Sequence, residues 1–354
     1  MTQRIGFCCK YVVPSKKGFD TVPELNTRST TVAWLNRQTR EVAEQRLWDI
    51  MVHNIQSAYN LVEKLSRLDQ ELRMVRLGSD ILPVYTEPNW SYFWGQTDVV
   101  NYAEKEFGRV GELARKHDVR LDFHPGQFTV LASDNNDIVN RSIEEFEYHV
   151  DMARWMGYGH TWHDHGFTIN VHISGRRGPE GIVAALKRMT PEARNLITIE
   201  NEENVHGLDA TLQLHNTCAL VLDIHHHYIK SGEYIRADDN RIKRIIDSWR
   251  GVRPVIHYSA SREDILVGHS ITNRPDLNQL LENGYKKAKL RAHSDFMWNN
   301  ALNEWAYEHW QWADVIVEAK AKNLASFKLY EFWKGLENTM GPVFKTKTDT
   351  TPYL

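Results

Sequence analysis

Short runs of apolar and β-branched residues recur along the chain near positions 4–9, 73–77, 119–123, 167–173, 196–200, 218–224, 253–258 and 314–319. Between most of them the apolar positions fall into the spacing of amphipathic helices, as from Val42 to Arg67, Val99 to Lys116, Ile138 to Met156, Asp238 to Trp249 and Leu324 to Trp333. Brief apolar runs flanked by helical periodicity predict strands buried on both faces, the signature of a parallel sheet. Eight such units in one uninterrupted chain favour a closed (β/α)8 TIM barrel of the α/β class. An open doubly wound sheet is the competitor, but no GxGxxG opens a first helix. Two connections, about 9–41 and 259–313, are long for βα loops and predict elaborated loops on the C-terminal face. The reading is a single barrel domain over 1–337. The polar, aperiodic stretch 338–354 is expected to be a poorly ordered tail.

The ionisable residues sharpen this pattern. The third predicted strand runs RLDF into His124, the fourth ends TINVH at His172, and the fifth ends ITIE at Glu200. The sixth reads ALVLD to Asp223, followed by His225, His226 and His227; the seventh contains His257 in PVIHYS; the eighth runs DVIV into Glu318. Side chains alternate along a strand, so these strand-end residues share the inward face with Asp122, Asn170, Thr198, Val221, Val255 and Ile316. The residues between them, Phe123, Val171, Ile199, Leu222, Ile256 and Val317, are apolar, as a helix-facing set must be. A ring of His, Glu and Asp at the C-terminal mouth of a barrel is where such enzymes carry their chemistry. Converging buried carboxylates repel one another, and a divalent cation with imidazole ligands resolves the conflict. Mixed carboxylate and imidazole donors suit Zn²⁺, Mn²⁺ or Fe²⁺. The HTWHDH run, with His160, His163 and His165, precedes the fourth strand and belongs to the opposite, structural face; His149 and His215 fall in helical stretches.

Composition adds exclusions. The 354 residues contain 17 histidines and 12 tryptophans, with a formal net charge of −3. Binding to nucleic acid through global positive charge is therefore out, and any such contact needs a local basic patch. No apolar run approaches a membrane span, and no signal sequence is evident. Three cysteines, Cys8, Cys9 and Cys218, make no disulfide framework, so a cytoplasmic protein is expected.

The ordered motifs IGF (5–7), HPGQF (124–128), INVHISG (169–175), IENEEN (199–204), LDIHHH (222–227), IHYS (256–259), RAHSD (291–295) and VEAKAK (317–322) resemble the ultraviolet damage endonucleases, metal-dependent barrel nucleases related to endonuclease IV. The resemblance spans Ile5 to Trp333. It implies nicking of the DNA backbone 5′ to cyclobutane dimers and 6-4 photoproducts, with two or three divalent ions, Mn²⁺ foremost. In that pattern Glu200 bridges two metals and Asp223, His257 and Glu318 complete one site, these four being the catalytic set. His124 and His172 hold the second metal, and His226 and His293 serve a third. Gln127 and Phe128 correspond to the pair that probes the damaged duplex, and Phe7 and Tyr11 to positions lining the lesion pocket. The resemblance implies double-stranded DNA carrying ultraviolet lesions as the partner. No membrane and no obligate protein partner are expected, the protein is expected to be a monomer, and the absence of a targeting sequence suits a bacterial or phage source.

Three positions depart from the family pattern. Val255 stands where some members carry a carbamylated lysine ligand, Asp80 where some use histidine, and Phe128 where others have tyrosine. Lys10, Lys16, Lys17, Arg28, Arg176, Arg177, Lys230, Arg262 and Arg291 are the candidate phosphate contacts. The rival readings are a metal-dependent sugar isomerase or epimerase, which shares such a barrel mouth, a non-catalytic damage-binding protein, and an apurinic-site endonuclease.

Overall fold

A computed structural model of the chain describes residues 2–340. In chain order its strands are β1 (Ile5–Cys8), β2 (Val12–Ser15), β3 (Gly18–Thr21), β4 (Met74–Arg76), β5 (Arg120–Phe123), β6 (Thr168–His172), β7 (Ile197–Glu200), β8 (Ala219–Asp223), β9 (Val255–Tyr258) and β10 (Asp314–Val317). All except β2 and β3 pair in parallel into one closed sheet, ordered β1-β10-β9-β8-β7-β6-β5-β4 and back to β1. The eight apolar runs are the eight barrel strands. The helices read from periodicity are present as Arg40–Leu65, Thr97–Lys116, Asn136–Trp155, Asn240–Ser248 and Asn323–Met340. This last helix continues past position 338, where order is expected to end; the rest of the expected tail, from 341, lies outside the described residues. No described helix is long and apolar enough to cross a membrane.

Alternation divides the barrel into two apolar layers. Leu121, Phe123, Ile169, Val171, Ile199, Leu222, Ile256, Val315 and Val317 join the helix-facing core. Inside, Met74, Val221, Val255 and Ile316 pack with Cys8, Ala219 and Trp249. Trp249 closes the N-terminal end, its indole Nε1 donating to the Leu220 carbonyl at 2.8 Å. The HTWHDH run lies there: the His163 ring stands 5.2 Å from that of Trp249, and Arg250 stacks on Trp162 at 3.6 Å. Below the apolar layer, buried Asp314 accepts from Arg120 Nη1 (2.8 Å), Arg253 Nε (2.7 Å) and the Arg4 amide (2.9 Å), tying together β1, β5 and β10 with the segment entering β9.

The long connections are structured. The first carries the antiparallel β2–β3 hairpin, whose four-residue strands are mostly exposed and too short to show a period. The connection after β9 folds into the helices Leu277–Glu282, Lys287–Leu290 and Asn300–Trp310, with Leu266, Leu277, Leu280 and Leu290 forming a small core against Tyr228 and Ile229. Gly175, just beyond β6, has φ 109°, and a Cβ there would stand 2.4 Å from the Ala132 backbone. Only glycine lets the loops after β5 and β6 pack this closely, which keeps the ends of those strands together.

Candidate metal centre

Register brings the expected residues together. Parallel pairing sets His172 beside Glu200 and Asp223 beside His257. Glu200 is the hub: its Oε2 lies 3.0 Å from His257 Nδ1 and 3.4 Å from Nε2 of both His124 and His172. Two groups of donors have ligand atoms lying mutually within 4.8 Å, His124/His172/Glu200 and Glu200/Asp223/His257, and Glu200 belongs to both.

Neighbouring side chains fix the carboxylates. Thr198 donates to Asn170 Oδ1 at 2.8 Å, which turns the Asn170 amide toward Glu200 Oε2. Asn201 clamps Asp223 through two bonds, donating to its carbonyl and accepting from its amide, each 3.0 Å. Asp223 is also the N-cap of the helix Ile224–Ser231: Oδ1 accepts from the His226 amide at 2.7 Å, leaving Oδ2 free. Glu200 Oε1, Asp223 Oδ2 and His257 Nδ1 are buried without a hydrogen-bond partner. Three unpaired polar atoms in one mouth are costly, and a divalent cation is the ligand that satisfies an oxygen, oxygen, nitrogen set at once. The donors present therefore fit a metal.

Electrostatics agree. Burial alone would raise the Glu200 carboxyl, but His257, His172 and His124 outweigh it and hold the group well below the usual carboxylate range. Burial raises Asp223. Burial disfavours charge on His226, yet Asp223, Glu200 and Glu203 raise its pKa to about 9. The mouth is a negative site that recruits positive charge.

The remaining expected ligands lie at its edge. His226 Nδ1 is 3.5 Å from Glu200 Oε1 and 3.7 Å from Asp223 Oδ2. Glu318 Oε1 is 3.5 Å from His257 Nδ1, while His293 Nδ1 stands 3.9 Å from Glu318 Oε2. Among the described residues no three-donor group contains His226, His293 or Glu318. Asp80 is exposed and accepts from Thr27 Oγ1 at 3.2 Å. Val255 belongs to the apolar layer beneath the mouth. The strand-end pattern passes over Arg76 on β4, whose guanidinium contacts Glu318, Asp122 and His257. The same alternation that identifies the other strands places it inward with Met74.

Above the mouth, Gln127 is exposed and Phe128 leaves 85% of its surface in solvent at the tip of the loop after β5. Phe7 and Tyr11 are a correction. Phe7 has no exposed surface and Tyr11 only 8%, and both pack edge-on against Phe327 in the helix layer (6.3 and 6.5 Å between centroids). On β1 it is Gly6 and Cys8 that point inward, so Phe7 cannot line a pocket at the mouth. Of the candidate cations, Lys10, Lys16, Lys17, Arg28, Arg176, Arg177 and Arg291 are exposed, and Lys230 and Arg262 half-buried.

Fold and site together define a closed parallel (β/α)8 barrel with a metal-capable His/Glu/Asp centre at its C-terminal mouth. Comparison with known proteins narrows this. The family model described as UV-endonuclease UvdE matches residues 3–345, and the chain belongs to that family of DNA-repair endonucleases. It is 24% identical over 335 residues to the UV DNA damage endonuclease of Bacillus velezensis, covering 90% of this chain and 93% of that protein. A Bacillus cereus UV DNA damage endonuclease is 22% identical over 333 residues, covering 91% and 92%. Among solved structures, SacUVDE superposes with a TM-score of 0.70 at 20% identity, covering 95% of this chain and 99% of that one. Endonuclease IV from Thermus thermophilus superposes with a TM-score of 0.51 at 14% identity, covering 79% and 94%, a likeness of fold.

Proposed function

We propose that this protein hydrolyses the DNA backbone 5′ to ultraviolet photoproducts, cyclobutane dimers and 6-4 photoproducts, using two or three divalent ions, with Mn²⁺ the expected metal. The observation that carries the reading is a carboxylate, Glu200, shared by two compact ligand groups, together with an exposed aromatic ring, Phe128, on the loop that leaves β5. His124, His172 and Glu200 would hold one ion and Glu200, Asp223 and His257 another, with Glu318 beside them. His226 and His293 would serve a third. When bound, divalent ions supply Lewis-acid activation of water and of the scissile phosphate.

The protein's own part is positional. Asn170 and Asn201 orient the carboxylates. The neutral imidazole of His124, held below its ordinary pKa by burial, is ready to donate a lone pair. Damage selectivity follows from deformability: a photodimer stacks and pairs poorly, so displacing it costs less than displacing normal bases. Phe128 offers a flat ring, and Gln127 an amide, to occupy the gap.

Irradiated and untreated plasmids incubated with the protein and Mn²⁺, with EDTA controls, test the proposal. Nicking is expected only in irradiated DNA and only without chelator. Nicking of neither plasmid would refute it, and nicking confined to duplexes with abasic sites would move the assignment to an apurinic-site endonuclease. In the same assay folded Glu200→Gln, which removes the shared ligand, is expected to lose at least about 100-fold in rate.

A further inference from the structure

Arg76 is the residue of the mouth that the metal reading leaves without a role. Its side chain is only 5% exposed, and its fork is fully engaged. Nη1 lies 2.5 Å from Glu318 Oε1, Nε 3.2 Å from Asp122 Oδ2, and Nη2 2.6 Å from His257 Nε2. A guanidinium is always charged and only donates, so Nε2 of His257 is the acceptor. In a neutral imidazole the proton then lies on Nδ1, the nitrogen turned toward Glu200 and Glu318. A metal ligand needs a lone pair at that atom, which requires the other tautomer, with a proton on Nε2 facing Arg76. Arg76 thus opposes a metal in two ways: it stabilises the non-ligating tautomer of His257, and it places a fixed positive charge against Glu318.

We propose that Arg76 is the resident cation of the barrel mouth, a positioning residue that holds Glu318 and His257 and sets the affinity for the divalent ion by competing with it for them. The inference rests on the reading that the mouth binds metal. It makes Arg76 more than a structural ion pair, because a structural pair would stabilise metal-free and metal-loaded protein alike, whereas a competitor stabilises the metal-free form more. By linkage, removing a group that favours the metal-free form tightens binding.

The test is calorimetric titration of Mn²⁺ alone into the full chain, for wild type, Arg76→Met and Arg76→Lys, with melting temperatures in EDTA and at saturating Mn²⁺. Arg76→Met is expected to bind Mn²⁺ at least about tenfold tighter, ~1.4 kcal/mol, and to lose more melting temperature in EDTA than in Mn²⁺. Arg76→Lys, which keeps the charge without the fork, is expected to lie between Met and wild type. Long-range ¹⁵N spectra of the metal-free wild type should place the His257 proton on Nδ1. Equal or weaker binding by Arg76→Met, equal losses of melting temperature in both forms, or a proton on Nε2 would overturn the proposal. If Arg76→Met does not fold, Arg76→Gln gives the same reading with a neutral donor. Absence of Mn²⁺ binding by wild type would instead refute the metal reading itself.

Discussion

At the scale of single residues, two side chains on the mouth side of the barrel have opposite environments. Glu200 is fully buried, which would raise its carboxyl, yet the three imidazoles of His257, His172 and His124 converge on it and hold it well below the usual carboxylate range. Phe128 is the reverse, an apolar ring kept in solvent. So exposed a ring contributes little to folding, and Phe128→Ala is expected to change stability by no more than about 0.5 kcal/mol. Base–aromatic stacking is worth about 1–3 kcal/mol, so Gln127→Ala/Phe128→Ala should lower the preference for irradiated over intact duplex by roughly tenfold or more. Competitive binding to the two duplexes measures this, and an unchanged preference would exclude Gln127 and Phe128 from lesion recognition. Phe128 shows what one sequence conveys at this scale: HPGQF places the ring beside a strand end, but only the folded loop shows that it points outward. Phe7 is the opposite lesson. Its position in the motif suggested the mouth, while the β1 alternation, legible from Ile5 to Cys8, already directed it to the helices.

At the scale of elements, the strands are held from below by charge and from within by shape. Asp314 is fully buried and accepts from the Arg4 amide, Arg120 and Arg253, which lie in or next to three other strands, β1, β5 and β9. Removing one partner of a buried charge network typically costs about 3–5 kcal/mol, and Asp314→Ala is expected to cost about that much in denaturant unfolding while leaving the mouth intact. A surviving nicking rate per folded molecule would show that this layer serves stability alone. The network was not legible beforehand. Arg4, Arg120, Arg253 and Asp314 are distant in sequence, and a strand-edge charge reads as surface until closure of the barrel buries it. The strands themselves were legible because burial on both faces requires continuous apolar runs; the β2–β3 hairpin, bound by no such requirement, left no trace.

At the scale of the whole molecule, charge and pH govern behaviour. Burial lowers His163 to about 3, and His149 and His309 to about 4. A histidine unfolded titrates near ~6.5, so below that the unfolded chain binds protons these buried rings refuse. Stability present above pH about 6.5 should therefore be lost progressively as pH falls toward the folded values of about 3 to 4. His163→Asn, tolerated by the left-handed backbone there (φ 42°), is expected to flatten part of that acid slope in denaturant titrations from about pH 7 to 4. An unchanged slope would exclude His163 as a contributor. With net charge −3, the proposed DNA contact needs local cations, and the exposed lysines and arginines named above are the candidates. Neutralising two or more phosphates predicts at least about a tenfold loss of affinity between about 50 and 200 mM salt. A salt-independent affinity would refute that interface.

The sequence by itself determined the barrel and the ring of His, Glu and Asp side chains at its mouth. Both follow from local rules, burial on two faces and alternation along a strand, that act wherever a residue sits in the chain. It also carried the family likeness, since the motifs are contiguous. Tertiary structure alone decided which donors come within reach of a common ion, that Asp223 spends one oxygen on a helix cap, that Phe128 is exposed while Phe7 is not, and that Arg76 grips Glu318 and His257. These depend on distances between residues far apart in the chain, which only the closure and register of the sheet set.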